Sequence, residues 1–151
     1  MRMPFGEKYF YYIFNFFTSF GYFGNEAENH NVIHNISTAL KSNGIVMMDY
    51  LNTPYSEEHM VSKEEKEIDG VIYHITRWTD DRHFFKKIII DDLQAEGPFE
   101  HTEQVEKLYL PDFEHMFECN GLQLQDVYGD YRLNKYDVKT SPRLILVAKK
   151  K

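Results

Sequence analysis

The chain has 151 residues, enough for one domain with a real core. Its formal net charge of −7 argues against the basic patch that a nucleic-acid partner requires, and Lys, Asn and Glu break every apolar run before it reaches a membrane span. One cysteine, Cys119, excludes an intrachain disulfide, and no small-residue cleavage site follows Met1-Arg2-Met3-Pro4, so a reduced, cytoplasmic protein is the expectation.

Residues 1–9 are short and irregular, with Pro4 and Gly6. Phe10 to Thr18 then reads as a strand, F-Y-Y-I-F-N-F-F-T. Its near-continuous aromatic and β-branched run predicts burial on both faces, as in a parallel sheet. Ser19-Phe20-Gly21 breaks it into a polar loop. Asn25 to Ser42 has helical periodicity, with Asn29, Val32, Ile33, Ile36, Ala39 and Leu40 on one face. Asn25 with Glu28 has capping-box spacing, and Gly44 is the stop signal. Ile45 to Leu51 is a second buried strand, ended by Pro54. Strand, loop, helix and strand make a βαβ unit, and in open α/β sheets ligands bind at the carboxyl ends of the strands.

From about Ser56 to Tyr109 the pattern changes to an antiparallel meander. Asp69-Gly70 is a hairpin turn between alternating runs, Thr79 to Arg82 is a second turn, and Phe84 to Leu93 is a third strand. After Gly97-Pro98, residues Phe99 to Tyr109 alternate again. The meander reads as an inserted subdomain, 56–109, covering one end of the main sheet. Pro111 to Asn120 is a short helix with Gly121 after it and Leu110, Phe113 and Phe117 as its stripe. Leu122 to Tyr128 and Arg143 to Ala148 are the last strands, joined by a polar loop.

Three stretches resemble one family. The run F-N-F-F-T-S-F-G-Y-F, the helix ending A-L-K-S-N-G and the strand G-I-V-M-M-D-Y look like the fourth strand, helix and fifth strand of class I S-adenosylmethionine-dependent methyltransferases. S-P-R-L-I-L-V-A-K-K looks like their closing strand. The resemblance implies an α/β fold: the second half of a Rossmann-like methyltransferase sheet. That is two parallel strands and a carboxyl-terminal antiparallel pair, with the inserted meander. It covers residues 1–151 as a partial domain. The family's glycine-rich loop after its first strand, and the acidic residue after its second, have no counterpart here.

By that resemblance Asn15, Phe17, Thr18, Ser19 and Phe20 approach the donor, S-adenosylmethionine, and Tyr22 the acceptor. Carbonyls, hydroxyls and aromatic faces suit a sulfonium cation. The plain alternative is that these side chains only pack. Asp49, Tyr50 and Asn52 end the neighbouring strand, so they open onto the same crevice; Asp49 would orient or deprotonate an acceptor. Its plain alternative is a cap or turn partner. Arg77 and Trp78, beside His74 and His83, would line an acceptor pocket, against ordinary cross-strand pairing. Glu26, His30 and His34 have metal-site spacing but fall on the solvent side of their helix, so no metal is expected. Cys119 has no basic neighbours in sequence.

The missing half has two consequences. S-adenosylmethionine binding to this chain alone is expected to be weak or absent. The first strand's outer edge is bare and aromatic, so the chain either forms a homodimer through it or associates with a missing amino-terminal half. The expected activity is methyl transfer to a small molecule, in a chain that alone is inactive or nearly so. The rivals are a non-enzymatic binding or dimerisation module derived from the same fold, and an unrelated α+β ligand-binding domain built around the meander.

Overall fold

The computed structural model describes residues 6–22, 26–91 and 99–151; of Glu26 and Asp91 only the backbone is described. The expected cap Asn25, the Gly97-Pro98 break and Asp92 lie outside these residues. The chain divides into two compact units, Met1–Ser56 with Leu108–Lys151, and Glu57–Lys107.

The first unit holds a four-stranded sheet. Strand β1 is Phe10–Asn15, β2 is Leu40–Leu51, β7 is Leu122–Tyr128 and β8 is Arg143–Lys150, in the order β1-β2-β8-β7. β1 runs parallel to β2, with Ile13 opposite Val46 and Asn15 opposite Met48. β8 is antiparallel to both of its neighbours. Helix α1, Glu26–Ala39, connects β1 to β2, and helix α3, Leu110–Cys119, precedes β7. This is the βαβ unit and closing antiparallel pair that the sequence implies, on a mixed α/β frame.

The core lies on one face of that sheet. Val32, Ile33 and Ile36 of α1 and Phe113, Met116 and Phe117 of α3 are buried with Val46, Met48 and Tyr50 of β2 and Leu144, Leu146 and Ala148 of β8. Each such side chain contributes on the order of 1.5–3 kcal/mol by leaving water. The α1 face read from periodicity is therefore correct. Met116 joins the α3 stripe, while Leu110 is only half-buried.

Three sequence expectations are corrected. β1 is an edge strand, and Tyr11, Tyr12 and Phe14 are 63%, 61% and 56% exposed, so it is not buried on both faces. Its composition suits a buried strand, but burial needs packing on both faces, and among the described residues the side bearing Tyr12 and Phe14 stays exposed while the strand pairs only with β2. Helix α1 ends at Ala39, not Ser42, because Leu40 already pairs with Phe10. The register then shifts before Tyr12 meets Ile45, so Gly44 lies inside β2 and does not stop a helix. The α1 carboxyl end is met instead by a cation, Lys150, whose Nζ donates to the carbonyls of Ser37 and Leu40.

Leu51 is followed by the short helix α2, Thr53–Glu58, which begins at Thr53 with Pro54 next. The second unit is a four-stranded antiparallel sheet in the order β3-β4-β5-β6: Lys63–Ile68, Val71–Thr79, His83–Asp91 and Phe99–Glu106. Asp69 (φ 52°) and Gly70 (φ 81°) are both left-handed, as a two-residue hairpin turn of the primed type requires. Asp80 closes the next turn by accepting from the backbone N–H groups of Arg82 (2.7 Å) and His83 (2.6 Å). Those bonds, the Arg82 N–H foremost, hold its carboxyl below the usual range. Among the described residues no helix is long and apolar enough to cross a membrane.

Candidate functional site

The site grows from the turn that leaves β1. Phe17 (φ 58°) and Thr18 (φ 56°) are consecutive left-handed residues. That sign pattern belongs to a primed turn, whose positions normally go to Gly, Asn or Asp. An aromatic and a β-branched residue there cost roughly 1–3 kcal/mol each, and such strain persists only where the surroundings over-determine it.

The surroundings do so. Ser19 closes the turn on the Phe16 carbonyl, its Oγ donating at 2.5 Å and its N–H at 3.3 Å. The Phe17 N–H donates to Asp49 Oδ2 at 2.8 Å, and the Thr18 N–H donates to the Asp49 carbonyl at 3.1 Å. Asp49 is 1% exposed. Its Oδ1 takes Arg143 Nε at 2.8 Å, and the Arg143 Nη2 lies 2.7 Å away. Its Oδ2 also accepts from the Tyr131 hydroxyl at 2.9 Å. Arg143 Nη2 reaches on to Thr18 Oγ1 at 2.9 Å. One carboxylate thus ties together the turn after β1, the end of β2, the start of β8 and the loop before it. Loss of water at its hydroxyl end, then the bond to Asp49, push the Tyr131 phenol above its ordinary value.

Chemically, this carboxylate positions. Both of its oxygens are occupied by protein donors, which leaves little room to take a proton from an acceptor. Asp49, expected to orient or deprotonate an acceptor, sits in this latch with both oxygens hydrogen-bonded.

The other expected residues fall in different places. Phe20 and Tyr50 are each 1% exposed and pack on Phe113, with ring centroids 5.6 Å and 5.2 Å from it. Neither presents a surface to a ligand, so donor contact by Phe20 and substrate contact by Tyr50 are set aside. Asn52, also 1% exposed, donates to the carbonyls of Val138 (3.0 Å) and Ser141 (2.7 Å) and accepts from the Tyr136 hydroxyl (3.0 Å). It pins the β7–β8 loop and does not face an acceptor. The Ser19 hydroxyl donates within the turn, and the Thr18 hydroxyl accepts from Arg143.

Asn15, Phe17 and Tyr22 are the remaining expected residues of the turn. Among the described residues the buried Asn15 Oδ1 has no hydrogen-bond partner, while its Nδ2 donates to the Ser19 carbonyl at 3.3 Å. Phe17 is 80% exposed and Tyr22 47%. In the second unit Arg77 is held by Glu64 at 2.9 Å and by the Val61 carbonyl. Trp78 stacks on Phe85 at 5.2 Å and 6° yet stays 40% exposed. Among the described residues no cluster of His, Cys, Asp and Glu could hold a metal. His30 instead meets His115 edge-on at 5.8 Å, and His34 pairs with Asn120 Oδ1. Cys119 does have a histidine beside it, His115, at 3.7 Å from its Sγ.

Arg143 and Tyr131 escaped the sequence reading. The only available signal was an arginine opening an otherwise apolar strand, S-P-R-L-I-L-V.

No protein-family model matches the sequence, and no curated protein does. Solved structures do. An S-adenosylmethionine-dependent methyltransferase from Clostridium acetobutylicum ATCC 824 superposes with a TM-score of 0.82 over 99% of this chain, at 17% identity. The fold is that of the class I S-adenosylmethionine-dependent methyltransferases. The CcbJ methyltransferase of Streptomyces caelestis matches with a TM-score of 0.79 at 14% identity over 99% of this chain. CalS10 of Micromonospora echinaspora, an amino pentose methyltransferase solved with S-adenosylmethionine bound, gives 0.67 at 14% identity over all of it. The chain spans only 61%, 64% and 61% of those three proteins. Against this methyltransferase fold, the turn after β1 fits a sulfonium donor in part: a buried carbonyl oxygen on Asn15 wants a partner, and the Phe17 ring lies open.

Proposed function

We propose that this chain is the carboxyl-terminal part of an S-adenosylmethionine-dependent methyltransferase acting on a small molecule. One observation carries the reading. A strained, latched turn leaves the carboxyl end of a strand paired parallel to its βαβ partner, in a fold shared with solved methyltransferases.

S-adenosylmethionine, when bound, supplies an electrophilic methyl group on a sulfonium. The chain's own work is to bind and orient, since methyl transfer needs donor and acceptor in line and water kept out. Asn15 Oδ1 and the Phe17 ring would hold the donor. Tyr22 would meet the acceptor. Asp49 and Arg143 fix the turn so that Asn15 and Phe17 are presented without reorganisation. In the second unit, Arg77 is committed to Glu64. CalS10 acts on an amino pentose, which agrees with a small acceptor, and the net charge of −7 disfavours a polyanion. By the family resemblance, the remaining donor contacts would come from the glycine-rich loop and acidic residue that have no counterpart here, so donor binding to this chain alone is expected to be weak.

A second reading has support of its own. The Ser19 hydroxyl and both oxygens of Asp49 are engaged within the protein, and Thr18 Oγ1 accepts from Arg143. A non-enzymatic α/β module derived from the same fold would look like this.

Titration with S-adenosylmethionine, followed by amide shifts, separates the two. The methyltransferase reading expects perturbation confined to Asn15–Phe17 and a Kd weaker than about 100 μM, equivalent to about 5.5 kcal/mol. Asn15→Ala and Phe17→Ala should abolish it. No perturbation at about 5 mM donor favours the module. Low-micromolar binding would show that most of the donor site is already here.

A further inference from the structure

Two tyrosines of the β7–β8 loop each place a hydroxyl on a buried polar side chain at the carboxyl end of β2. Tyr131 donates to Asp49 Oδ2 at 2.9 Å, and Tyr136 donates to Asn52 Oδ1 at 3.0 Å. The loop braces itself around Tyr131. Asp130 Oδ1 accepts from the backbone N–H groups of Arg132 (2.9 Å) and Asn134 (3.1 Å), and its Oδ2 accepts from Asn134 Nδ2 (2.7 Å). The Gly129 N–H closes the segment on the Asn134 carbonyl at 2.8 Å. The Arg143 guanidinium carbon lies 5.8 Å from the Tyr131 ring centroid, within reach of cation–π attraction. The two hydroxyls differ in where they lead. Among the described residues the Asn52 side chain bonds back to the loop, at Val138 and Ser141, whereas Asp49 Oδ2 also holds the Phe17 N–H.

We infer that Tyr131 is a positioning residue for the turn after β1, acting through Asp49. Arg143 meets the carboxylate on one oxygen: Nε donates to Oδ1 at 2.8 Å, and Nη2 lies 2.7 Å from the same atom. A fork-to-fork pair, one nitrogen to each oxygen, would lock the plane of the carboxylate. Gripped at one oxygen it can still pivot, because the terminal torsion of an aspartate is broad. The Tyr131 hydroxyl stops that pivot from the other side by fixing Oδ2. With Oδ2 in place the Phe17 N–H meets it at 2.8 Å, and Phe17 stays at φ 58°. An aromatic residue does not hold that conformation unaided. Thr18 is gripped separately, since its N–H goes to the Asp49 carbonyl and its Oγ1 to Arg143 Nη2. The effect therefore centres on Phe17. One oxygen atom passes the shape of the loop to the turn, across 82 residues between Tyr131 and Asp49. A donor role for Tyr131 rests on the methyltransferase reading; its hold on the turn does not.

The test is native-state amide hydrogen exchange on the full chain, comparing Tyr131→Phe with Tyr136→Phe. Each variant removes one hydroxyl from a buried side chain of the β2 end, so a merely structural role would treat the two alike. Tyr131→Phe should speed exchange of the Phe17 N–H at least about tenfold, while the Ile33 N–H in α1 reports any global loss. Tyr136→Phe should leave the Phe17 N–H within about twofold of wild type. If either variant fails to fold in buffer, all three chains are compared in a stabilising osmolyte. Unchanged Phe17 exchange in Tyr131→Phe overturns the inference, as does equal acceleration in both variants. Titration with S-adenosylmethionine reads the donor role separately. Tyr131→Phe should weaken the Kd read from the Asn15–Phe17 shifts at least about fivefold, and Tyr136→Phe should not. An equal Kd in Tyr131→Phe and wild type overturns the donor role. A wild-type chain without such shifts counts against the methyltransferase reading, and the exchange comparison then decides the positioning role by itself.

Discussion

Arg143 reaches Asp49 Oδ1 from both Nε (2.8 Å) and Nη2 (2.7 Å), across 94 residues of sequence. Asp49 is 1% exposed in its side chain and Arg143 20%, so the pair is largely dry. Removing one partner leaves a buried charge alone, which costs roughly 3–5 kcal/mol. Arg143→Met should therefore lower the urea-derived stability by about that much, and Arg143→Lys by less, because it keeps the charge and loses the planar fork. A methionine variant within about 0.5 kcal/mol of wild type would mean the latch holds nothing.

Gly21 sits at φ +81°, and a Cβ there would lie 2.6 Å from the Tyr50 hydroxyl oxygen. Gly21→Ala adds a clash to the backbone strain, and should cost about 2–4 kcal/mol. Gly70 has the same φ with nothing within 4 Å, so Gly70→Ala should cost only about 1 kcal/mol. Equal losses from the two substitutions would remove Tyr50 from the explanation.

Phe20 and Phe17 lie three residues apart and do different things. Phe20 is enclosed by Tyr50 and Phe113, so Phe20→Ala should open a cavity and cost about 3–5 kcal/mol. Phe17 is 80% exposed, and Phe17→Ala should change stability by less than about 0.5 kcal/mol while abolishing donor-dependent shifts. Paired measurement of unfolding and of donor titration reads both. A large stability loss from Phe17→Ala would place it in the packing instead.

The β7–β8 loop should define a pH window. The phenols of Tyr131 and Tyr136 are raised above their ordinary value, both first by burial, then Tyr131 by its bond to Asp49 and Tyr136 by the charge of Asp137. Stability from a raised group is complete below the unfolded value, about 10, and is lost as pH climbs through the folded one. Asp130 and Asp137 are lowered, Asp130 first by the Asn134 side chain and Asp137 first by the Thr140 N–H. Their contribution is present above the unfolded value of about 4 and is lost as pH falls through the folded one. Urea midpoints should drop at both ends, with the alkaline drop reduced in Tyr131→Phe and the acid drop reduced in Asp137→Asn. A midpoint that rises above pH 10 would contradict the sign.

The local elements were legible from residue types alone. Helical spacing marked Val32, Ile33 and Ile36 as the buried face of α1, and all three are buried. Asp69-Gly70 announced its turn because only residues tolerant of left-handed backbone fit there. The parallel relation of β1 to β2 followed from an unbroken apolar run on each side of a helix. Phe17 and Thr18 carried no comparable mark, since neither favours the conformation it adopts.

The order of residues, then, determined most of the strands, the helices α1 and α3 and the Asp69-Gly70 turn, because those choices depend on neighbours a few positions away; it marked neither α2 nor the start of β2 at Leu40. Tertiary structure alone decided that β1 is an edge with an open aromatic face, that Phe20, Tyr50 and Asn52 turn inward, and that Asp49 is a latch. Those outcomes depend on which distant groups arrive: Tyr131 and Arg143 meet Asp49 from 82 and 94 residues away. No periodicity encodes a meeting of that range; chain folding in three dimensions has to bring it about.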